Sequence, residues 1–137
     1  MYKTIIVPVE VSDVEAGKAM IDVAKTHSDE NTRIILLHVI EEMPKWVTVE
    51  LPKEVIEESR KSILEEVHAI ADAASVQADV DIRSGHPYKN ILEKAEEEDA
   101  DLIIIASHKP GGLQDYLLGS TAAKVVRHAN CSVLVVR

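Results

Sequence analysis

The stretch KTIIVPV, Lys3 to Val9, decides how the rest of the chain is read. It is β-branched and almost wholly apolar instead of alternating, the texture of a strand buried on both faces of a parallel sheet. The same texture returns in RIILLHVI from Arg33 to Ile40, in DLIIIAS from Asp101 to Ser107, and in SVLVVR from Ser132 to Arg137. Between Gln77 and Ser84 the pattern alternates, with Val80 and Ile82 against Asp79, Asp81 and Arg83. That suits an edge strand with one solvated face.

Helical spacing fills the intervals. Ala16, Ala19, Met20, Val23, Ala24 and His27 follow one helix face, with Ser12 or Asp13 as the N-cap. A longer helix follows Pro52 and turns Ile56, Ile63, Val67, Ile70 and Ala74 inward. Pro87 suits the first position of a third helix running through Ile91, Leu92 and Ala95. A fourth starts at Ser120 and buries Ala122, Val125, Val126 and Ala129. Strand and helix thus alternate through five strands and four helices, the pattern of a doubly wound parallel α/β sheet with right-handed crossovers. The one irregular connection, Glu41 to Glu54, is bracketed by Pro44 and Pro52 and carries Trp46, either as a functional segment or as a packed connector.

Composition sets outer bounds. With 137 residues, 46% of them hydrophobic and 28% charged, the chain is expected to form one domain over residues 1–137. A formal net charge of −9 excludes sequence-independent binding to nucleic acid or to an anionic membrane, which needs clustered Lys and Arg. Cys131 is the only cysteine, so no internal disulfide and no Cys-rich zinc site is expected, as suits a reducing cytoplasm. MYKTIIVPV has neither a basic leader nor the length of a membrane span.

In an open parallel sheet, ligands bind beyond the C-terminal ends of the strands, where neighbouring connections diverge. If strand 1 lies beside strand 4, PVEVSD (Pro8 to Asp13) meets SHKPGGLQDYLLGST (Ser107 to Thr121) there. The helix beginning at Ser120 would turn free N–H groups and its positive dipole end toward an anion. Gly119 would let a phosphate approach the backbone, and Ser120 and Thr121 would add hydroxyl donors. Neither G-x-x-x-x-G-K-[ST] nor G-x-G-x-x-G is present, and Gly-Ser at a helix start can equally be a turn and a cap.

IIVPVEVSD, LLHVI, SGHPYKNILEKAEEEDADLIIIASH and LLGSTAAKVVRHANCSVLVVR together resemble the universal stress protein (UspA) family from end to end. The last two carry the most specific features, similar to the family's G-x-P…I…A…DLI segment and its G-[ST]…K-V…H…C-[PS]-V-L-V-V ending. SHKP is similar to the Ser-His-Arg-Pro of the F/G-type branch. The resemblance implies a Rossmann-like sheet of order 3-2-1-4-5, related to the adenine nucleotide α-hydrolases. It also implies a homodimer and, as in many members, ATP (or ADP or AMP) bound across strands 1 and 4.

The family's G-x2-G-x9-G-[ST] motif falls on Ala106, Lys109, Gly119 and Ser120, so the first two glycines are replaced. Lys109 would offer an ammonium to phosphates, and Gly111 and Gly112 would restore a tight turn. Glu10 stands where the family usually has an Asp that holds the adenine side. By the same resemblance Pro8, Val9 and Val39 would wall the adenine and ribose. His108, inside the loop, would donate to phosphate or steady the turn. Mg²⁺ would arrive with the nucleotide or sit near Asp13 or Glu10. SVLVVR, apolar at Val133, Leu134, Val135 and Val136, would be an uncovered sheet edge at which two copies pair antiparallel.

The remaining candidates read as structural. The six histidines make no close ligand pair with one another or with Cys131, which reads as a small core residue. Glu93, Glu96, Glu97, Glu98, Asp99 and Asp101 read as a solvated helix end, and Tyr88 as packing. With no G-x-S-x-G, H-E-x-x-H or Ser/His/Asp spacing, the chain reads as an ATP-binding signalling or protective module with an unidentified protein partner. The alternatives are a dimer acting by protein contacts without nucleotide, and a slow ATPase.

Overall fold

A computed structural model describes residues 1–41, 51–107 and 119–137. The order is β1 (Thr4–Pro8), α1 (Val14–Thr26), β2 (Arg33–Ile40), α2 (Lys53–Ala73), β3 (Asp79–Ser84), α3 (Pro87–Glu97), β4 (Leu102–Ala106), α4 (Ser120–His128) and β5 (Ser132–Val136). All five strands are parallel, in the order β3-β2-β1-β4-β5. The expected doubly wound α/β sheet is therefore present, and β3, the alternating strand, lies at an edge as its polarity required. The irregular connection around Pro44 and Trp46 lies outside the described residues.

The central strands are apolar on both faces because each face carries its own core. Ile5, Val7, Val9, Ile34, Leu36, Leu102 and Ile104 pack with α1 and α2 through Met20, Ile21, Ala24, Val67 and Ile70. Ile6, Ile35, Leu37, Val39, Ile103 and Ile105 face the other way, onto Ile91 and Ala95 of α3 and Ala122 and Val125 of α4. Each such fully buried Ile or Leu contributes roughly 1.5–3 kcal/mol relative to exposure. Periodicity located this face with three errors: Ala19 is exposed, Ile56 is 37% exposed and Val126 is 46% exposed. Ile56 belongs to the first turns of α2, where no described residue is buried until Val67. Val126 stands beside Val125, one step off the inward stripe of a nine-residue helix.

The acidic run is a solvated face only in part. Arg83 binds Asp81 (Nε to Oδ2, 2.8 Å) and Glu97 (Nη1 to Oε1, 2.9 Å). Lys94, only 8% exposed, binds Asp81 and Glu98 at 3.1 Å each, and Arg33 joins Glu98 to Asp79. Burial pulls the Lys94 ammonium down, but the bonds to Asp81 and Glu98 outweigh it and hold it above its usual value. These partners come from β2, β3 and α3, so only the folded register of the strands brings them together. At the outer rim of β3, Arg60 of α2 donates to the Ile82 carbonyl at 3.1 Å and to Ser84 Oγ at 2.9 Å.

Candidate functional site: the C-terminal end of β1

The candidate site is a place where the sheet comes apart. β1 pairs with β2 over five residues, Thr4 to Pro8, but with β4 only at Ile5↔Leu102 and Ile6↔Ile103. In a parallel ladder alternate residues of a strand bond to alternate neighbours. Val9 donates to Leu37 O at 2.9 Å, so odd residues of β1 face β2 and residue 8 faces β4. Residue 8 is proline and has no N–H to give, which ends the β1–β4 ladder at the point where β1 and β4 lead off to opposite faces, the place where open α/β sheets bind ligands.

The β1–β2 side also stops early. The next ladder bond would run from the Val39 N–H to the Val9 carbonyl, yet no such bond forms among the described residues. The Val9 carbonyl is bonded instead by Nδ1 of His38, at 2.8 Å, and His38 is 5% exposed. A carbonyl only accepts, so Nδ1 carries the proton. Val39 therefore turns its backbone N–H and C=O toward the gap beyond the end of β1.

Beyond the end of β4 stands the start of α4. Gly119 is its N-cap, with φ −58° and ψ 153°, and supplies no side-chain cap. The Gly119 N–H bonds back to the Ser107 carbonyl, fixing the helix start against the end of β4. The first N–H groups of the helix are thus not taken by a cap, and the dipole adds positive potential there. Ser120 is exposed and Thr121 half-buried, both placed to offer hydroxyls at this end. At α1, by contrast, Asp13 caps its own helix, Oδ1 accepting from the Ala16 N–H at 3.2 Å.

Of the expected site residues, Pro8, Val9, Glu10, Val39, Ala106, Gly119, Ser120 and Thr121 all lie at this C-terminal end of the sheet. His108 and Lys109, with Gly111 and Gly112, lie outside the described residues. Pro8 and Val39 stand on the α3–α4 side by strand alternation, whereas Val9 and Ala106 pack in the α1–α2 layer. The site accordingly straddles the rim of the sheet. Glu10 is exposed and begins the turn closed by the Asp13 N–H to the Glu10 carbonyl at 3.1 Å. His38 was not singled out by its spacing. A histidine inside an apolar strand next to Val39 was the available signal.

A second concavity, about 660 Å³, lies at the opposite end of the strands, lined by Lys3, Asp99, Asp101, Asn130, Cys131 and Ser132. Helix C-termini, not N-termini, border it, which disfavours anions. Burial pushes the Cys131 thiol up, and the Asp101 charge adds to this, which disfavours the thiolate. Among the described residues, no group of three or more His, Cys, Asp or Glu could hold a metal ion, and no helix is long and apolar enough to cross a membrane.

Comparison with known proteins agrees with this architecture. The model of the universal stress protein family matches residues 1–137. The chain is 35% identical over 141 residues to a universal stress protein of Methanocaldococcus jannaschii, covering 100% of this chain and 83% of that protein. It is 34% identical over 146 residues to universal stress protein G of Escherichia coli O157:H7, covering 100% of both, as suits the F/G-type branch. Among solved structures, a universal stress protein in complex with cAMP superposes with a TM-score of 0.68 at 25% identity, covering 99% of this chain and 97% of that one. This chain belongs to the universal stress protein family.

Proposed function

We propose that this universal stress protein binds an adenine nucleotide, ATP foremost, and that occupancy signals to a protein partner or protects the cell under stress. The whole chain acts as one such domain, in the cytoplasm, as a homodimer joined through β5. One observation carries the reading: Pro8 ends the ladder between β1 and β4, and beyond the end of β4 a helix held to Ser107 starts at Gly119 without a side-chain cap. Apolar strand ends beside the N–H groups of a helix start suit a flat base at one end and a phosphate at the other. The relative that carries cAMP supports an adenine ligand.

Pro8, Val9 and Val39 wall the base and ribose in this reading. Gly119, Ser120 and Thr121 receive phosphate in this reading, and His108 and Lys109 are assigned to it as donors. Ala106 stands where the ribose would pass, and Mg²⁺ travels with the phosphates near Glu10. Gly119 has a backbone conformation open to any residue, so Gly119→Val can fold normally while its methyls block phosphate approach. Calorimetry should show ATP affinity falling about tenfold or more in that variant. Equal affinity would remove α4 from the site. Absence of ATP binding to the wild type, with no nucleotide released from gently purified protein in a mass spectrum, would instead favour a dimer working by protein contacts alone.

A further inference from the structure

We infer that His38 is a positioning residue, which keeps the backbone edge of Val39 open by occupying the Val9 carbonyl that would otherwise close it. The inference rests on the nucleotide reading for its consequence and on the sheet geometry for its cause. Register pairs Pro8 with Leu37, and Val9 continues that pairing by donating to the Leu37 carbonyl at 2.9 Å. One more ladder bond, Val39 N–H to Val9 O, would zip β1 to β2 completely at this end. His38 intervenes: its Nδ1 sits 2.8 Å from Val9 O.

The capture has a physical logic. Val9 is 2% exposed, so its carbonyl needs a partner in the folded chain. Two donors compete for it, the Val39 amide from within the sheet and the His38 ring from the α1–α2 side. Giving it to the ring satisfies the carbonyl and leaves Val39 with an N–H and a C=O side by side at the rim. A heterocycle carrying an acceptor beside a donor, as a purine edge does, matches that pair. Leucine at position 38 would fill the space with no donor, returning the carbonyl to Val39.

The test uses the full chain with His38→Leu and His38→Asn, the latter because an amide Nδ2–H can replace the imidazole Nδ1–H. In nucleotide-free wild type, NMR should find the neutral His38 ring protonated at Nδ1. The Val39 amide should exchange with solvent about tenfold more slowly in His38→Leu than in wild type, as one hydrogen bond is gained. ATP affinity should fall about tenfold in His38→Leu and stay within about threefold in His38→Asn, at temperatures well below melting for all three. A merely structural histidine would shift melting and leave the Val39 exchange and the affinity alone. The proposal is overturned by a ring protonated at Nε2, by unchanged Val39 exchange in His38→Leu, or by His38→Asn binding as weakly as His38→Leu. If wild type binds no ATP, the reading of the preceding section fails, and the ring proton and Val39 exchange still decide the role of His38. If His38→Leu does not fold, the wild-type ring and His38→Asn decide it.

Discussion

Asp101 shows how much one side chain at a strand start can hold. Its carboxylate accepts from the Lys3 N–H at 3.1 and 2.9 Å and from the Thr4 N–H at 2.9 Å, tying the beginning of β1 to the beginning of β4. Burial raises the affinity of this group for a proton, but the Lys3 and Thr4 bonds outweigh it, and the pKa lies below the usual carboxylate range. A depressed folded pKa contributes stability that is present above the unfolded value, about 4, and lost as pH falls through the folded one. Asp101→Asn should therefore cost about 1–2 kcal/mol at pH 7, with the gap to wild type closing below about pH 4 in urea titrations. Nothing in the neighbourhood of Asp101 in sequence announced this role, because both donors come from the other end of the chain. His38 was illegible for a related reason: its meaning depends on which side of β1 the Val9 carbonyl faces, and that is a property of register.

At the scale of elements, the strands were the most legible part. Parallel strands buried twice must be apolar at every position, and DLIIIAS and RIILLHVI read as strands without any help from their surroundings. Helix faces were legible where they were buried and misleading where they were not, as Ile56 shows. Gly17 was overlooked. Gly17 of α1 lies against α2, and a Cβ built there would meet Ile70 Cγ2 at 3.5 Å and Val9 Cγ1 at 3.7 Å, ordinary contact distances. Helix interiors favour alanine over glycine by about 0.8–1.0 kcal/mol, and the neighbours have room. Gly17→Ala should raise stability by about 0.5–1 kcal/mol, read as a higher denaturant midpoint with unchanged slope. Lys94 makes the opposite point, a lysine that the polar pattern assigns to solvent but that Asp81 and Glu98 draw to the surface of α3 facing β3.

At the scale of the whole molecule, the outer backbone edge of β5 is the feature that matters. In β5 the Ser107 N–H bonds to Val136 O, so even residues face β4, and Val133 and Val135 turn their backbone N–H groups outward. If two copies pair through this strand, an outward N–H lost at position 135 should break the pairing while the inward ladder stays whole. Val135→Pro should sediment at half the mass of wild type and keep the wild-type far-ultraviolet circular dichroism spectrum. A wild type that is itself monomeric at micromolar concentration would remove β5 as the joint. The place of the site was legible at this scale from the strand order, which brings PVEVSD beside the segment after β4; that Pro8 ends the ladder there was not. Which carbonyl stayed behind, and which donor took it, required the assembled sheet.

Arg60 completes the account of the sheet's two margins. The even residues of β3 turn their backbone outward, since the Gly85 N–H bonds to Ile40 O, and the Ile82 carbonyl among them is already occupied by the Arg60 guanidinium. A sheet joinable at both margins would propagate, copy after copy, into a ribbon. If copies pair through β5 as proposed, a sheet with its β3 margin partly taken in this way would accept one neighbour and end there. In that case Arg60 would work as a chain stopper does in polymer chemistry, limiting the assembly from the end farthest from the joint.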